Sequence, residues 1–354
     1  MHYKPFRERR LVAVYNVTDT ENPTRLFTST NAFKSVEIDG VEQESVVSNY
    51  TFDSIGEHTV KYKLIDSRKV NRGCFSSCKN IISVVIPHKV TTIEYTAFSQ
   101  CENLVSVTIP DTLVTIEGSA FIYCKNLTSL NIFEGVTSIG NNAFQYCYGL
   151  TSINIPDSVT SIGSQAFDNC TSATTLSIGK GVTSIGDNVF TGCSSFTSIT
   201  VNKANTVYDS RNNCNAVIEK TTNKLVVGGN TTVIPTNVSA IGNYAFHNRR
   251  MTEIIIPNNV TTIGDNAFNR CETLKEITIG SSVTTIGSYS FQWCVLEKIT
   301  SLAMTAPTIQ SNTFQNSAKN GGRLFVPTGS SGYNEWMSYS NYYLGTFNWI
   351  LQYQ

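Results

Sequence analysis

A phenylalanine returns at a fixed interval along most of this chain. It stands at Phe75, Phe98, Phe121, Phe144, Phe167 and Phe190, each step being 23 residues, and resumes at Phe246, Phe268, Phe291 and Phe314 with steps of 22, 23 and 23. Self-similarity at a period of about 20–50 residues marks a solenoid or array, so it fixes the fold class before any local reading. Three residues after the Phe comes Cys78, Cys101, Cys124, Cys147, Cys170, Cys193, Cys271 or Cys294; only Arg249 and Ser317 depart from the rule.

The rest of the unit keeps the same phase. Residues 152–170 read SINIPDSVTSIGSQAFDNC, and Leu150, Ile153 and Ile155 before the proline have counterparts in Leu104, Val107 and Ile109 and in Leu274, Ile277 and Ile279. Alternation at Ile153 and Ile155 predicts a short strand with one buried face. Pro156 lacks the donor a ladder needs and ends the strand. Val159 and Ile162 turn inward again, and Gly163 is expected to supply a backbone conformation that a side chain would resist. Ala166, Phe167 and Cys170 have the spacing of one short helical or 3₁₀ turn. One such unit has too few apolar side chains to fold alone. Stacked units cover one another and pair strand to strand. Ten rungs at ~4.8 Å would make a rod roughly 50 Å long.

These residues resemble the BspA-type leucine-rich repeat, whose pattern is close to A-F-x-x-C-x-x-L-x-x-I-x-I-P-x-x-V-x-x-I-G, over about residues 70–315. The expected fold is a leucine-rich-repeat-like solenoid, a short strand plus a short helical or 3₁₀ turn per rung, with a small N-terminal antiparallel β module. The resemblance also implies a setting: known members are mostly surface proteins of anaerobic bacteria and mucosal protozoa, and several are adhesins for host matrix proteins.

Composition narrows the partners. Lys plus Arg equals Asp plus Glu at 26 each, and such balance argues against nucleic acid or an anionic membrane as the main partner. No apolar stretch approaches a membrane span. The start, MHYKPFRERRLVAVYNV, has no long apolar region behind its basic residues and does not read as a secretory signal. A leader absent from the chain, another export route, or an intracellular life all fit. Eight of the ten cysteines share one repeat position, so they read as an internal ladder of buried, reduced thiols. Cys74, at an Ala position, and Cys214, in an irregular segment, are the thiols expected to be accessible.

Three regions interrupt the repeats, giving expected segments of 1–66, 67–203, 204–237, 238–317 and 318–354. In the first, Asp39-Gly40 between half-apolar runs signals a two-residue hairpin, and Val60, Tyr62 and Leu64 alternate. It reads as an antiparallel β module, immunoglobulin-like in one version, that caps the first rung or binds on its own. Residues 204–237 contain a hairpin, Ala216 to Ile218 against Leu225 to Val227, expected to project from the rungs. Asp209, Asn212, Asn213 and Asn215 upstream are read as turn caps rather than a calcium site. The last segment carries Tyr333, Trp336, Tyr339, Tyr342, Tyr343, Phe347, Trp349 and Tyr353 and reads as an aromatic cap.

Chemistry is sparse. His2, His58, His88 and His247 form no metal-ligand pair at helical spacing, and neither a nucleophile elbow nor a phosphate loop occurs. No catalytic, cofactor or metal residue is assigned, and the chain reads as a non-enzyme without cofactor. What remains is the outward row between buried strand positions: Ser106, Thr108, Ser129, Asn131, Ser152, Asn154, Thr175, Ser177, Ser198 and Thr200, then Glu253, Glu276 and Lys298. Ile255 stands in the same row. Solenoids bind partners with such extended faces. The leading expectation is a surface or secreted binding protein for a protein or glycan, with host matrix proteins among the candidates. A structural component of a phage tail or cell-surface assembly, and an intracellular scaffold, are the alternatives. Ligand and oligomeric state are not legible in the sequence.

Overall fold

The computed structural model describes residues 9–339 and 342–354. The start MHYKPFRE and His2 therefore lie outside the described residues. The chain divides into two compact units, one of residues up to Ala173 with Ile178–Phe190, the other Thr174–Ser177 with Thr191–Gln354. Both are built of stacked rungs with almost no helix.

In the first unit a rung contributes strands to two parallel ladders. Ser83, Ser106 and Ser129 align in one, with Val84, Val107 and Leu130 beside them. The other runs through Lys69–Val70, Thr92–Ile93, Thr115–Ile116, Ser138–Ile139, Ser161–Ile162 and Ser184–Ile185. Strands two residues long persist because each is held by similar neighbours and an inward Ile or Val. Threonine adds to this ladder: Thr160 Oγ1 donates to Thr137 O at 3.1 Å, and Thr183 Oγ1 to Thr160 O at 3.3 Å. The glycine after the second strand is needed for close approach. A Cβ on Gly163 would sit 2.5 Å from Asn141 N and 2.7 Å from Gly140 C, so the expected special backbone conformation is not the reason for it.

The Ala-Phe-x-x-Cys segment forms the third side. Its i→i+3 bonds are present, as in Cys101 N–H to Phe98 O at 3.3 Å, but no helix continues through them. Residues two before and two after the Phe, such as Thr96 and Gln100 or Asn142 and Tyr146, have positive φ near 54–60°. The alternation turns the amides of the left-handed residues and of the Phe between them outward to the next rung: Phe98 N–H donates to Ala120 O at 2.8 Å and Gln100 N–H to Ile122 O at 2.7 Å. The inter-rung bonds offset the cost of non-glycine residues in the left-handed region.

The core is columnar. Phe75, Phe98, Phe121, Phe144 and Phe167 stack at 5.1–5.3 Å with interplanar angles of 1–12°. That spacing is close to the interstrand distance. Beside it, each thiol donates back to the preceding rung: Cys101 Sγ to Phe75 O at 3.1 Å, Cys124 Sγ to Phe98 O at 3.1 Å and Cys147 Sγ to Phe121 O at 3.2 Å. Cys is small, apolar and still a donor, which suits a buried site facing a carbonyl.

The N-terminal residues close this unit. The turn at Asp39 and Gly40, both at positive φ, joins Phe33–Ile38 to Val41–Glu42. Leu11–Val17 pairs with Gly56–Leu64 on one side and with the first repeat strand, Ile81–Val85, on the other, both antiparallel. The first rung thus has no open edge on this ladder. Tyr62 and Phe33 lie 5.2 and 5.5 Å from the Phe75 ring and end the aromatic column. Tyr15 and Tyr62 share a buried hydroxyl contact of 2.6 Å. Cys74, expected to be accessible, is buried because Thr28 of this module lies against its backbone, donating N–H to Cys74 O at 2.7 Å.

In the second unit the inserted hairpin does not project. Ala216–Glu219 pairs with Lys224–Gly228, which itself pairs in parallel with the repeat strand Ala240–Ile241. The hairpin is a rung in all but sequence, and its apolar residues have no other place to be buried. Cys214 is buried in the same cluster as Ala216, Ile218 and Leu225, against expectation. Gly228 takes the place of a Phe: a Cβ there would sit 2.0 Å from the Phe246 ring. Arg249, at a Cys position, is buried. It serves the carbonyl a thiol serves elsewhere, donating to Gly228 O at 2.6 Å, and also donates to Cys193 O at 2.7 Å. Phe246, Phe268, Phe291 and Phe314 then stack at 5.0–5.6 Å. Trp336 closes the column 5.5 Å from Phe314 and donates its ring N–H to Pro307 O. Buried Tyr333, Leu344 and Trp349 complete the aromatic cap, whereas Tyr339, Tyr342 and Tyr353 remain exposed.

Candidate partner-binding face

The outward row lies where alternation puts it. Ser106 and Thr108 are on one strand, Ser129 on the next, and Ser106 and Ser129 are in direct register. Asn131 follows its strand and is exposed, between half-buried Leu130 and buried Ile132. Ser152 and Asn154 flank buried Ile153 on Ser152–Ile155. Thr175 and Ser177 flank Leu176, and Ser198 and Thr200 flank Ile199. All ten side chains are exposed or half-buried.

In the second unit Glu253, Glu276 and Lys298 stand in register across three parallel strands. Glu276 pairs with Lys298 at 3.1 Å, and the Lys298 ammonium lies 6.0 Å over the Phe325 ring. Such exposed pairs add little stability, so this charge is available to set specificity. Ile255 is 68% exposed in the same row, and Val233 is 75% exposed across a cleft from it. The sequence placed Ile255 outward but gave no reason to single it out. An aliphatic residue at an outward strand position was the available signal.

Other candidate residues have structural partners. Asp209 is held by Arg211 through two bonds of 2.8 and 2.9 Å, and Asn215 Oδ1 accepts the Ile199 N–H. Asp157 and Asp265 accept N–H groups from the next rung, those of Lys180 and Ser288. Asp168 is buried and accepts from Gln145 at 2.8 Å, and burial raises its carboxyl above the usual range. Burial likewise pushes the Cys78 and Cys271 thiols up to about 12, so they are poor nucleophiles. Among the described residues, no three His, Cys, Asp or Glu side chains gather as a metal would require. No helix among them is long and apolar enough to cross a membrane.

The repeat sequence settles the family. A family model for the BspA-type leucine-rich repeat region, six copies long, matches residues 21–128, 68–197, 114–238 and 218–321. The chain belongs to the BspA-type leucine-rich repeat family. Several solved structures are similar to this BspA-type chain. A leucine-rich cell surface protein from Faecalibacterium prausnitzii A2-165 is 26% identical, with TM-score 0.58 over 77% of this chain and 79% of that one. A leucine-rich repeat protein from Eubacterium ventriosum is 27% identical, with TM-score 0.56 over 71% and 70%. The pneumococcal vaccine antigen PcpA shares the fold at 19% identity, with TM-score 0.59 over 75% of each chain. No curated protein matches the chain significantly.

Proposed function

We propose that this protein is a non-enzymatic binding protein of the cell surface or of the secreted fraction. Its partner is a protein or glycan, with host matrix proteins the first class to test. The strand face carries the contact, together with the surface of residues 204–237. The supporting observation is the contrast between two kinds of outward position. Thr137, Thr160 and Thr183 hold successive rungs together through their hydroxyls. The strand row carries hydroxyl, amide and charged side chains at exposed or half-buried positions, several of them in register from strand to strand, as an extended recognition surface requires. The cell-surface protein of Faecalibacterium prausnitzii supports the location.

The test is solid-phase binding of the full chain to a panel of matrix proteins and to a glycan array. The variant Thr108→Lys/Asn154→Lys/Thr200→Lys adds charge at exposed sites and should abolish the interaction without unfolding the chain. Absence of binding to every panel member, or binding indifferent to the triple variant, sinks the assignment. Deleting residues 204–237 is unsuitable, since it removes a strand paired to Ala240–Ile241.

A further inference from the structure

The strand face of the second unit is interrupted at one rung, where a cleft opens. Asn230 and Thr231 begin a rung correctly: Asn230 N–H donates to Phe196 O at 2.8 Å, and Thr231 Oγ1 to Thr197 O at 3.3 Å. Ile234, Pro235 and Val238 then repeat Ile256, Pro257 and Val260. Between these points the rung is one residue short, since Thr231 to Ile234 spans three positions where Thr252 to Ile256 spans four. A period-two strand cannot absorb one missing residue without reversing its faces. No strand forms there, and Val233 turns out to solvent.

The gap leaves the neighbouring strand, Glu253–Ile255, at the margin of its sheet, paired only with Glu276–Ile279. Residues of a parallel strand address their two neighbours alternately. Ile256 N–H donates to Thr278 O and Thr252 O accepts from Lys275, both toward the paired side. The N–H and C=O groups of Glu253 and Ile255 therefore aim at the gap. The strand Ser198–Val201 is treated differently. Its Ile199 and Val201 N–H groups are taken by Asn215 Oδ1 and Ser210 Oγ of the insertion. The insertion blocks one margin and leaves the other receptive.

The gap is a half-open cleft of about 630 Å³ whose walls include Val233, Ile255, Pro257 and Leu302. Glu253 stands at one end. Glu276, in register with it, is neutralised by Lys298, whereas Glu253 has no ion pair among the described residues. Glu253 and Ile255 project to the same side, two residues apart.

We propose that this cleft takes an extended peptide segment of a partner protein, added as a strand to Glu253–Ile255. The segment carries a basic side chain against Glu253 and an aliphatic one, two residues away, against Ile255 and Val233. Main-chain bonds hold such a segment and alternate side chains select it. The proposal rests on the binding role argued above and narrows it to one part of that face, with a definite partner chemistry.

The experiment pans a phage-displayed random heptapeptide library on the full chain. Recovered peptides are synthesised with fluorescein and titrated by anisotropy. They should pair Lys or Arg with Ile, Val or Leu at a spacing of two, and should lose binding when alternate amides are N-methylated. Ile255→Lys should weaken them roughly tenfold or more, and Glu253→Lys should shift selection to Asp or Glu. Both sites are exposed, and unchanged circular dichroism and thermal unfolding verify folding. Val233→Asp on the opposite wall supplies a second variant should Ile255→Lys misfold. Failure to recover peptides, recovery of peptides indifferent to Ile255→Lys and Val233→Asp, or tolerance of N-methylation overturns the proposal. So does dimerisation of the wild type lost in Ile255→Lys, which assigns the margin to a second copy. Matrix or glycan binding by the wild type that is lost in Thr108→Lys/Asn154→Lys/Thr200→Lys, with no peptide recovered, would sink this docking site alone and leave the wider role intact.

Discussion

At position three after the repeat Phe, most rungs place a small, buried residue that donates to a carbonyl of the rung before. Six thiols do this at 3.0–3.4 Å. Arg249 takes that place where Gly228 has replaced a ring, its longer side chain reaching the carbonyls of Gly228, Cys193 and His247. Its neighbour His247 is held uncharged: burial, then the charges of Arg249 and Arg270, lower it to about 4. The folded value is below the ordinary one of ~6.5, so this contribution to stability is present above pH ~6.5 and is lost as pH falls toward 4. Urea unfolding at pH 7, 5.5 and 4 should show the wild type losing about 2–3 kcal/mol more than His247→Gln across that range. Equal slopes would mean that His247 is not kept neutral. The spacing of the cysteines made their burial legible. Their acceptors were not, because a period says which residues align and not which carbonyl each one faces.

Along a rung, the strands and their prolines were readable because alternation and a missing donor each admit one interpretation. The Ala-Phe segment was not, because apolar residues one and four apart fit a helical turn and a pair of successive turns equally well. Left-handed residues at Tyr123, Tyr146 and Trp293 decide for the turns, and those side chains carry no propensity signal for that conformation. The aromatic column depends on the resulting alignment. Phe167 is fully buried, stacked on Phe144 at 5.2 Å and on Phe190 at 5.8 Å. Phe167→Ala should cost about 3–5 kcal/mol in chemical denaturation, because neighbouring rungs cannot collapse into the hole. A loss below ~1 kcal/mol would contradict a rigid column. The hairpin strands were equally legible, but their destination was not. Nothing in Lys224–Gly228 announces that it pairs with Ala240–Ile241.

For the molecule as a whole, all ten cysteines are free and buried. A charged disulfide reagent should modify essentially none of them quickly in the native protein, Cys74 and Cys214 included, and all of them once denaturant is added. Rapid native labelling of most of the ten would refute the internal ladder. The outward row was legible because alternation assigns faces. The cleft beside Glu253–Ile255 was hidden because it arises from one missing residue in a segment already irregular. The order of elements in the first unit has a further consequence. Strand Leu11–Val17 is synthesised before Ile81–Val85, to which it pairs. On the ribosome, the residues of the lid therefore emerge before those of the stack, and with N-terminal-first folding each emerging turn would land on a surface already closed from below. Moving that lid to the far end of the chain would leave every nascent turn waiting with an open template, and aggregation during translation would be the expected result.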